Sequence, residues 1–156
     1  VIRLARPEDA DAIAAIWNVI IRDTAMTFTT ALKAPAAIAA AMPDQPFFVA
    51  EDAAGITGFV TYFQFRGGPG YAHTMEHSIH VADGARGRGL GRALMQACET
   101  HAREAGVHSI FAGIGGENPD GVAFHAALGY AHVARLSQVG RKFGRWHDLV
   151  LMQKIL

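Results

Sequence analysis

The run Arg86-Gly87-Arg88-Gly89-Leu90-Gly91-Arg92 sets glycines and arginines directly ahead of an amphipathic segment. Glycine lets backbone N–H groups turn toward an anion with no Cβ in the way, and a helix start adds its positive end. Such a turn suits a pyrophosphate, with Arg88 and Arg92 adding charge. Two familiar phosphate loops fit less well. The dinucleotide fingerprint needs G-x-G-x-x-G and an acidic residue about 20 positions on. Here the spacing is G-x-G-x-G, and Ser109 to Ile114 carries no carboxylate. The triphosphate loop needs Gly-Lys-Ser/Thr, which is absent. The plainer alternative is a basic helix cap on a solvated turn.

A second pattern, His73-Thr74-Met75-Glu76-His77, spells the H-x-x-E-H of inverted zinc proteases. That motif works on a helix, where positions i and i+4 converge on one metal. Here Met75, Ile79 and Val81 alternate with Thr74, Glu76 and Ser78, the period of a strand. On a strand His73 and His77 stand about 13 Å apart at ~3.3 Å per residue, beyond the reach of one ion. A zinc hydrolase using His73, Glu76 and His77 is the outlying reading, and no metal is expected.

The elements that must carry these residues follow from periodicity and punctuation. Ile2 to Ala5 reads as a strand. Pro7 opens a helix, with Glu8, Asp9 and Asp11 at its positive end. Ile13, Ile16, Trp17, Ile20 and Ile21 give that helix one apolar face as far as Arg22 or Asp23. A shorter helix is expected over Pro35 to Met42. A hairpin follows, of Phe47 to Glu51 and Ile56 to Phe65. Arg66 to Gly70 is a loop, and Tyr71 to Val81 a strand. Leu90 to Ala105 is the clearest helix, closed by Gly106. His108 to Ile114 is a strand. Asn118 or Asp120 caps a helix over Val122 to Leu128. Two final strands, Tyr130 to Val139 and His147 to Ile155, flank a loop at Gly140 to Trp146. The order describes a mixed α/β sheet with helices packed on it.

With 156 residues, 51% of them hydrophobic, the chain has the size of one domain spanning 1–156 with a proper core. Fourteen basic and fourteen acidic residues cancel, so no overall field favours nucleic acid or anionic lipid. Any bound anion must be held by a local device. The single cysteine, Cys98, excludes an internal disulfide and a cysteine-rich zinc site. No apolar run reaches the ~18–20 residues of a membrane span. The opening Val1-Ile2-Arg3-Leu4 reads as a strand rather than a signal peptide, and the expected location is cytoplasmic.

Arg86-x-x-Gly89-x-Gly91 resembles the coenzyme A pyrophosphate loop of the GNAT acetyltransferase superfamily, (Q/R)-x-x-G-x-(G/A). Asn118 followed by Phe124-His125-Ala126-Ala127-Leu128-Gly129-Tyr130 resembles that family's second signature. The element order is also the family's, so the resemblance covers nearly the whole chain. It implies an α+β fold whose central, mostly antiparallel sheet splays into a V, with acetyl-coenzyme A in the cleft. By the same resemblance, backbone groups of Ile79, His80 and Val81 hold the acetyl and pantetheine portion. Gly87 to Arg92 hold the pyrophosphate and Asn118 contacts the pantetheine arm.

Three stretches are similar to the phosphinothricin and methionine sulfoximine acetyltransferase branch: Thr27-Phe28-Thr29, Tyr71-x-x-Thr74-x-Glu76, and Gly140-x-Lys142-Phe143-Gly144-x-Trp146-x-Asp148. That branch acetylates the amino group of small amino acids, and it implies a homodimer. Transfer to an amine needs the neutral amine, and a carboxylate near it can accept its proton, directly or through a water. Glu76 matches the branch's catalytic Glu. His125 stands where many GNAT enzymes carry Tyr, and could protonate the leaving thiolate or act with Glu76. The N–H of Val81, or of a neighbour on that strand, is the implied oxyanion donor. Arg66, Tyr71 and Lys142 are candidates for a substrate carboxylate or tetrahedral oxygen, with Phe28 beside them. A non-catalytic acetyl-coenzyme A sensor would keep the glycine-rich loop yet need neither Glu76 nor His125.

Overall fold

The computed structural model describes residues 1–156. Strand β1 (Ile2–Leu4) leads through a 3-10 turn at Pro7–Asp9 into α1 (Ala10–Asp23). Arg3 ties the two together, donating from Nη1 and Nη2 to the Asp9 carboxylate at 2.8 and 3.0 Å. Asp9 Oδ2 also accepts the Arg6 N–H at 2.8 Å, so the helix start is locked to the first strand. Ile13, Ala14, Trp17, Ile20 and Ile21 are buried as one stripe of α1. Each large side chain so buried contributes roughly 1.5–3 kcal/mol. Helix α2 (Pro35–Ala41) follows with proline in its first turn.

Strands β2 (Phe47–Asp52), β3 (Gly55–Gln64) and β4 (Thr74–Val81) form an antiparallel meander. Then come α3 (Leu90–Glu104), β5 (Ser109–Gly115), α4 (Pro119–Ala127), β6 (Ala131–Lys142) and β7 (Arg145–Ile155). The seven strands form one sheet in the order β1-β2-β3-β4-β5-β7-β6. Only the β4–β5 pair is parallel. Helices α1 and α2 cover Phe47, Val49 and Phe59 on one face, while Leu94, Met95 and Cys98 of α3 pack on the other. This is the mixed, mostly antiparallel sheet flanked by helices that was expected.

Three boundaries differ from the sequence reading. The strand expected from Tyr71 begins at Thr74, because Pro69–Tyr71 closes a 3-10 turn. Helix α4 starts at Pro119, whose fixed φ suits a first turn, rather than at Val122. The expected loop Gly140 to Trp146 is a tight hairpin, in which Lys142 pairs with Arg145 across Phe143 and Gly144. Those two residues have φ of 54° and 73°, the left-handed pair of a two-residue hairpin turn. The glycine supplies that turn, and the strands run on to it.

The V comes from one broken pairing. β4 and β5 are in register only from Thr74–Ser109 to His77–Ala112. Beyond His77, β4 keeps β3 as a partner, Ser78 with Thr61 to Val81 with Gly58. β5 keeps β7 through Gly115. The edge of Ser78–Val81 that faced β5 therefore has no strand against it. An open backbone edge inside a sheet is a place for a ligand.

Candidate active site

The glycine-rich loop lies at the mouth of this opening. Gly87 and Gly89 adopt φ of 80° and 73°, and Gly89 is the N-cap of α3. No backbone N–H from Gly87 to Arg92 finds an acceptor within the protein. Unpaired N–H groups at the start of a 15-residue helix make a preformed anion cradle. Gly91 serves packing as well: a Cβ there would lie 3.0 Å from the Phe124 ring. The cradle opens on a cleft of about 560 Å³ lined by Ile79, His80, Val81, Arg86, Arg92 and Asn118, among others. Gly87, Gly89, Leu90 and Gly91 complete its lining at the helix start. Arg88 does not line it. Its guanidinium turns to Asp52 at 3.2 Å and to the Gly84 carbonyl at 3.0 Å, so the charge expected from Arg88 is spent outside. The Asn118 side chain accepts the Gly121 N–H at 3.0 Å, capping α4.

A second cleft, about 570 Å³, shares Ile79, His80, Asn118 and His125 with the first and continues under α1 and α2. Glu76 lines it. This carboxylate is half-buried and has no hydrogen-bond donor or cation of the protein beside it, and burial raises its pKa above the usual carboxylate range. Gly113 on β5 makes its room, since a Cβ there would lie 3.2 Å from Glu76 Oε2. A poorly solvated carboxylate without a counter-charge is a better base than a surface one.

His125 meets a backbone carbonyl and a second imidazole. Its Nδ1 lies 2.7 Å from the Gly121 carbonyl, which can only accept, so Nδ1 carries the proton. Its Nε2 lies 3.2 Å from His77 Nε2 and must accept from it. Both nitrogens of His125 are thus engaged, and His77 is left with a bare Nδ1. Burial lowers the pKa of both imidazoles, so the pair is neutral. His80, between Trp17 and Phe59, is likewise neutral, its pKa lowered to about 4 by burial and by Arg86.

The fully shielded side-chain polar atoms without a partner are His77 Nδ1 and Thr27 Oγ1, and both residues line the second cleft. Unsatisfied groups are rare in native folds and mark where water or a ligand belongs. His73, by contrast, points away, its Nδ1 donating to the Gly106 carbonyl at 3.1 Å. His73, Glu76 and His77 do not converge, and no three His, Cys, Asp or Glu side chains do so elsewhere.

Phe28 lines the second cleft, stacked on His147 at 5.4 Å. Arg66, Tyr71 and Lys142 do not line it. Arg66 and Tyr71 form an exposed cation–π pair at 5.9 Å. Lys142 is buried and donates to the Thr24 and Thr27 carbonyls at 2.6 and 2.8 Å, fixing the segment that carries Phe28. Trp17, Lys33, Gln45, His77 and Gly113 line the cleft without having been singled out for it. The spacing of Trp17 and Lys33 carries no signal, because a bend of the chain brings them together.

A family model described as the acetyltransferase (GNAT) family matches residues 13–130. The L-amino acid N-acyltransferase MnaT of Escherichia coli is 37% identical over 97% of this chain and 91% of its own length. The L-methionine sulfoximine/L-methionine sulfone acetyltransferase of Salmonella typhimurium is 35% identical over 97% and 92%. The crystal structure of a phosphinothricin acetyltransferase from Sinorhizobium meliloti in complex with acetyl-coenzyme A superposes with a TM-score of 0.93. It is 29% identical and covers 100% of this chain and 88% of that one.

Proposed function

Because the chain belongs to the GNAT acetyltransferase family, as an acetyl-coenzyme A-dependent N-acetyltransferase, we propose that it acetylates the α-amino group of a small L-amino acid or analogue. Methionine sulfone, methionine sulfoximine and phosphinothricin are the acceptors to try first, since they are the substrates of its relatives. The observation that carries this reading is the meeting of two clefts at Ile79 and His80, one ending in unpaired N–H groups and the other holding a lone carboxylate.

Acetyl-coenzyme A supplies an acetyl thioester. The N–H groups of Gly87–Arg92, with Arg86 and Arg92, hold its diphosphate, and Asn118 borders the pantetheine path. The open edge of Ile79, His80 and Val81 provides backbone donors, including the Val81 N–H, toward the acetyl oxygen. Glu76 takes the proton of the amine, directly or through one water. His125 acts as a neutral wall, its Nδ1 proton committed to the Gly121 carbonyl and its Nε2 accepting from His77. A thiol titrates near 8.5, so a thiolate can leave and collect its proton afterwards, from Glu76 or from water.

We also assign a homodimer. Val133 and Val139 on β6 and Phe143 and Trp146 at the hairpin are each more than half exposed, an apolar surface suited to a second copy. Light scattering tests this, with a monomer at micromolar concentration counting against it. No helix is long and apolar enough to cross a membrane, and a cytoplasmic location remains part of the proposal.

The experiment for the activity is release of free thiol from acetyl-coenzyme A with a panel of L-amino acids, the three analogues, polyamines and peptides. Turnover confined to polyamines or peptides refutes the amino-acid acceptor. Tight cofactor binding with no turnover on any amine would make the protein a sensor instead.

A further inference from the structure

Once the three imidazoles are neutral, the acceptor cleft is lined by two charged side chains, Glu76 and Lys33. The ammonium of Lys33 lies 4.7 Å from the centroid of the Trp17 ring. No carboxylate of the protein pairs with it, although nine of the thirteen other lysines and arginines have such a partner. Its backbone is held from both sides by Asn18 of α1. The Lys33 N–H donates to Asn18 Oδ1 at 2.8 Å, and Asn18 Nδ2 donates to the Lys33 carbonyl at 3.0 Å. A lysine with an anchored backbone, half-buried beside an aromatic face and lacking a counter-ion, is a cation placed rather than left over.

We propose that Lys33 is the specificity residue that selects acceptors with a free carboxylate. This rests on the reading that Glu76 receives the amine. A zwitterionic amino acid then meets one cation and one anion in a cleft that otherwise presents neutral groups. Arg66 and Lys142, the candidates for this role by residue type, lie outside the cleft. Trp17 keeps the ammonium against an apolar wall, where water competes less for an incoming carboxylate.

The test measures kcat and KM for L-methionine sulfone and for its carboxamide in the wild type, Lys33→Met and Lys33→Arg. Met keeps the stem over Trp17 and removes the charge, and Arg restores the charge. The expected result is a wild-type preference for the free acid. In Lys33→Met that ratio of kcat/KM values should fall roughly 10- to 100-fold, the weight of a charge-assisted hydrogen bond, mostly through KM. Lys33→Arg should regain much of the preference. An unchanged ratio in Lys33→Met overturns the assignment, as does a wild type that turns over acid and amide equally. A wild type that acetylates neither compound, but acts on other amines, refutes the amino-acid reading itself and Lys33's role with it.

Discussion

Replacing Gly113 with alanine separates the position of the proposed base, Glu76, from the stability of the fold. Gly113 lies in β5 with a φ any residue can adopt, so the backbone accepts a side chain. The new methyl would sit 3.2 Å from Glu76 Oε2 and 3.6 Å from Leu149 Cδ1. The leucine contact is ordinary, whereas the oxygen must withdraw by a few tenths of an ångström. Removing glycine also restricts the unfolded chain, which stabilises by about 0.4–1 kcal/mol and offsets much of the strain. Stability should therefore change by less than about 1 kcal/mol. A displaced base costs far more in rate: roughly 10- to 100-fold in kcat/KM, or about 1.4–2.7 kcal/mol of barrier. Glu76→Gln, which removes the base, should cost about 10²–10⁴-fold. The decisive measurement is the double variant, assayed by thiol release beside thermal melts. If the methyl acts by misplacing the carboxylate, Gly113→Ala should cost less than about threefold when residue 76 is already Gln. Full activity in Gly113→Ala with an unchanged melt would refute the reasoning, and so would losses that multiply in the double variant.

His80 has a lower pKa in the fold than unfolded, about 4 against 6.5, so its stabilising contribution is present above pH 6.5 and lost as pH falls toward 4. The interval is worth about 3 kcal/mol, and urea melts at pH 7.5, 6 and 5 should show the loss, smaller in His80→Gln. His77 and His125 shift in the same direction and deepen it; a flat profile would contradict three neutral imidazoles. His125→Asn should lower kcat by less than about tenfold, since neither ring nitrogen is free to donate to the thiolate; a loss as large as that of Glu76→Gln would restore His125 as an acid. Arg92→Ala should raise KM for acetyl-coenzyme A several-fold, by about 1 kcal/mol of binding, and Arg88→Ala by less, because Arg88 is held by Asp52. Cys98 is fully buried with its pKa pushed up to about 12, so thiol reagents should modify it only as the chain unfolds.

Much of the fold was legible because its signals are local. The apolar stripe of α1, the glycine at 106 and the alternation from Thr74 to Val81 each report on a few neighbouring residues. The glycine-rich loop is local too: a G-x-G-x-G turn feeding a helix leaves its own backbone N–H groups unpaired. What was not legible is of another kind. Lys142 has the chemistry of a substrate ligand, yet its ammonium is consumed by the carbonyls of Thr24 and Thr27, more than a hundred residues away. Arg88 belongs to the recognised loop but answers to Asp52. His125 looks free until Gly121 and His77 occupy its nitrogens.

By itself, then, the amino-acid sequence determined the order of the elements and the glycine turn at the start of α3, and it singled out Glu76 as the base now proposed. These depend on backbone freedom and on contacts a few residues apart. Only the tertiary structure decided which polar side chains remain available. A hydrogen bond or ion pair uses up a donor whatever its distance along the chain, and that partner becomes known only when the sheet and helices are assembled. The same assembly left Lys33 without a partner, beside Trp17 and in the cleft with Glu76.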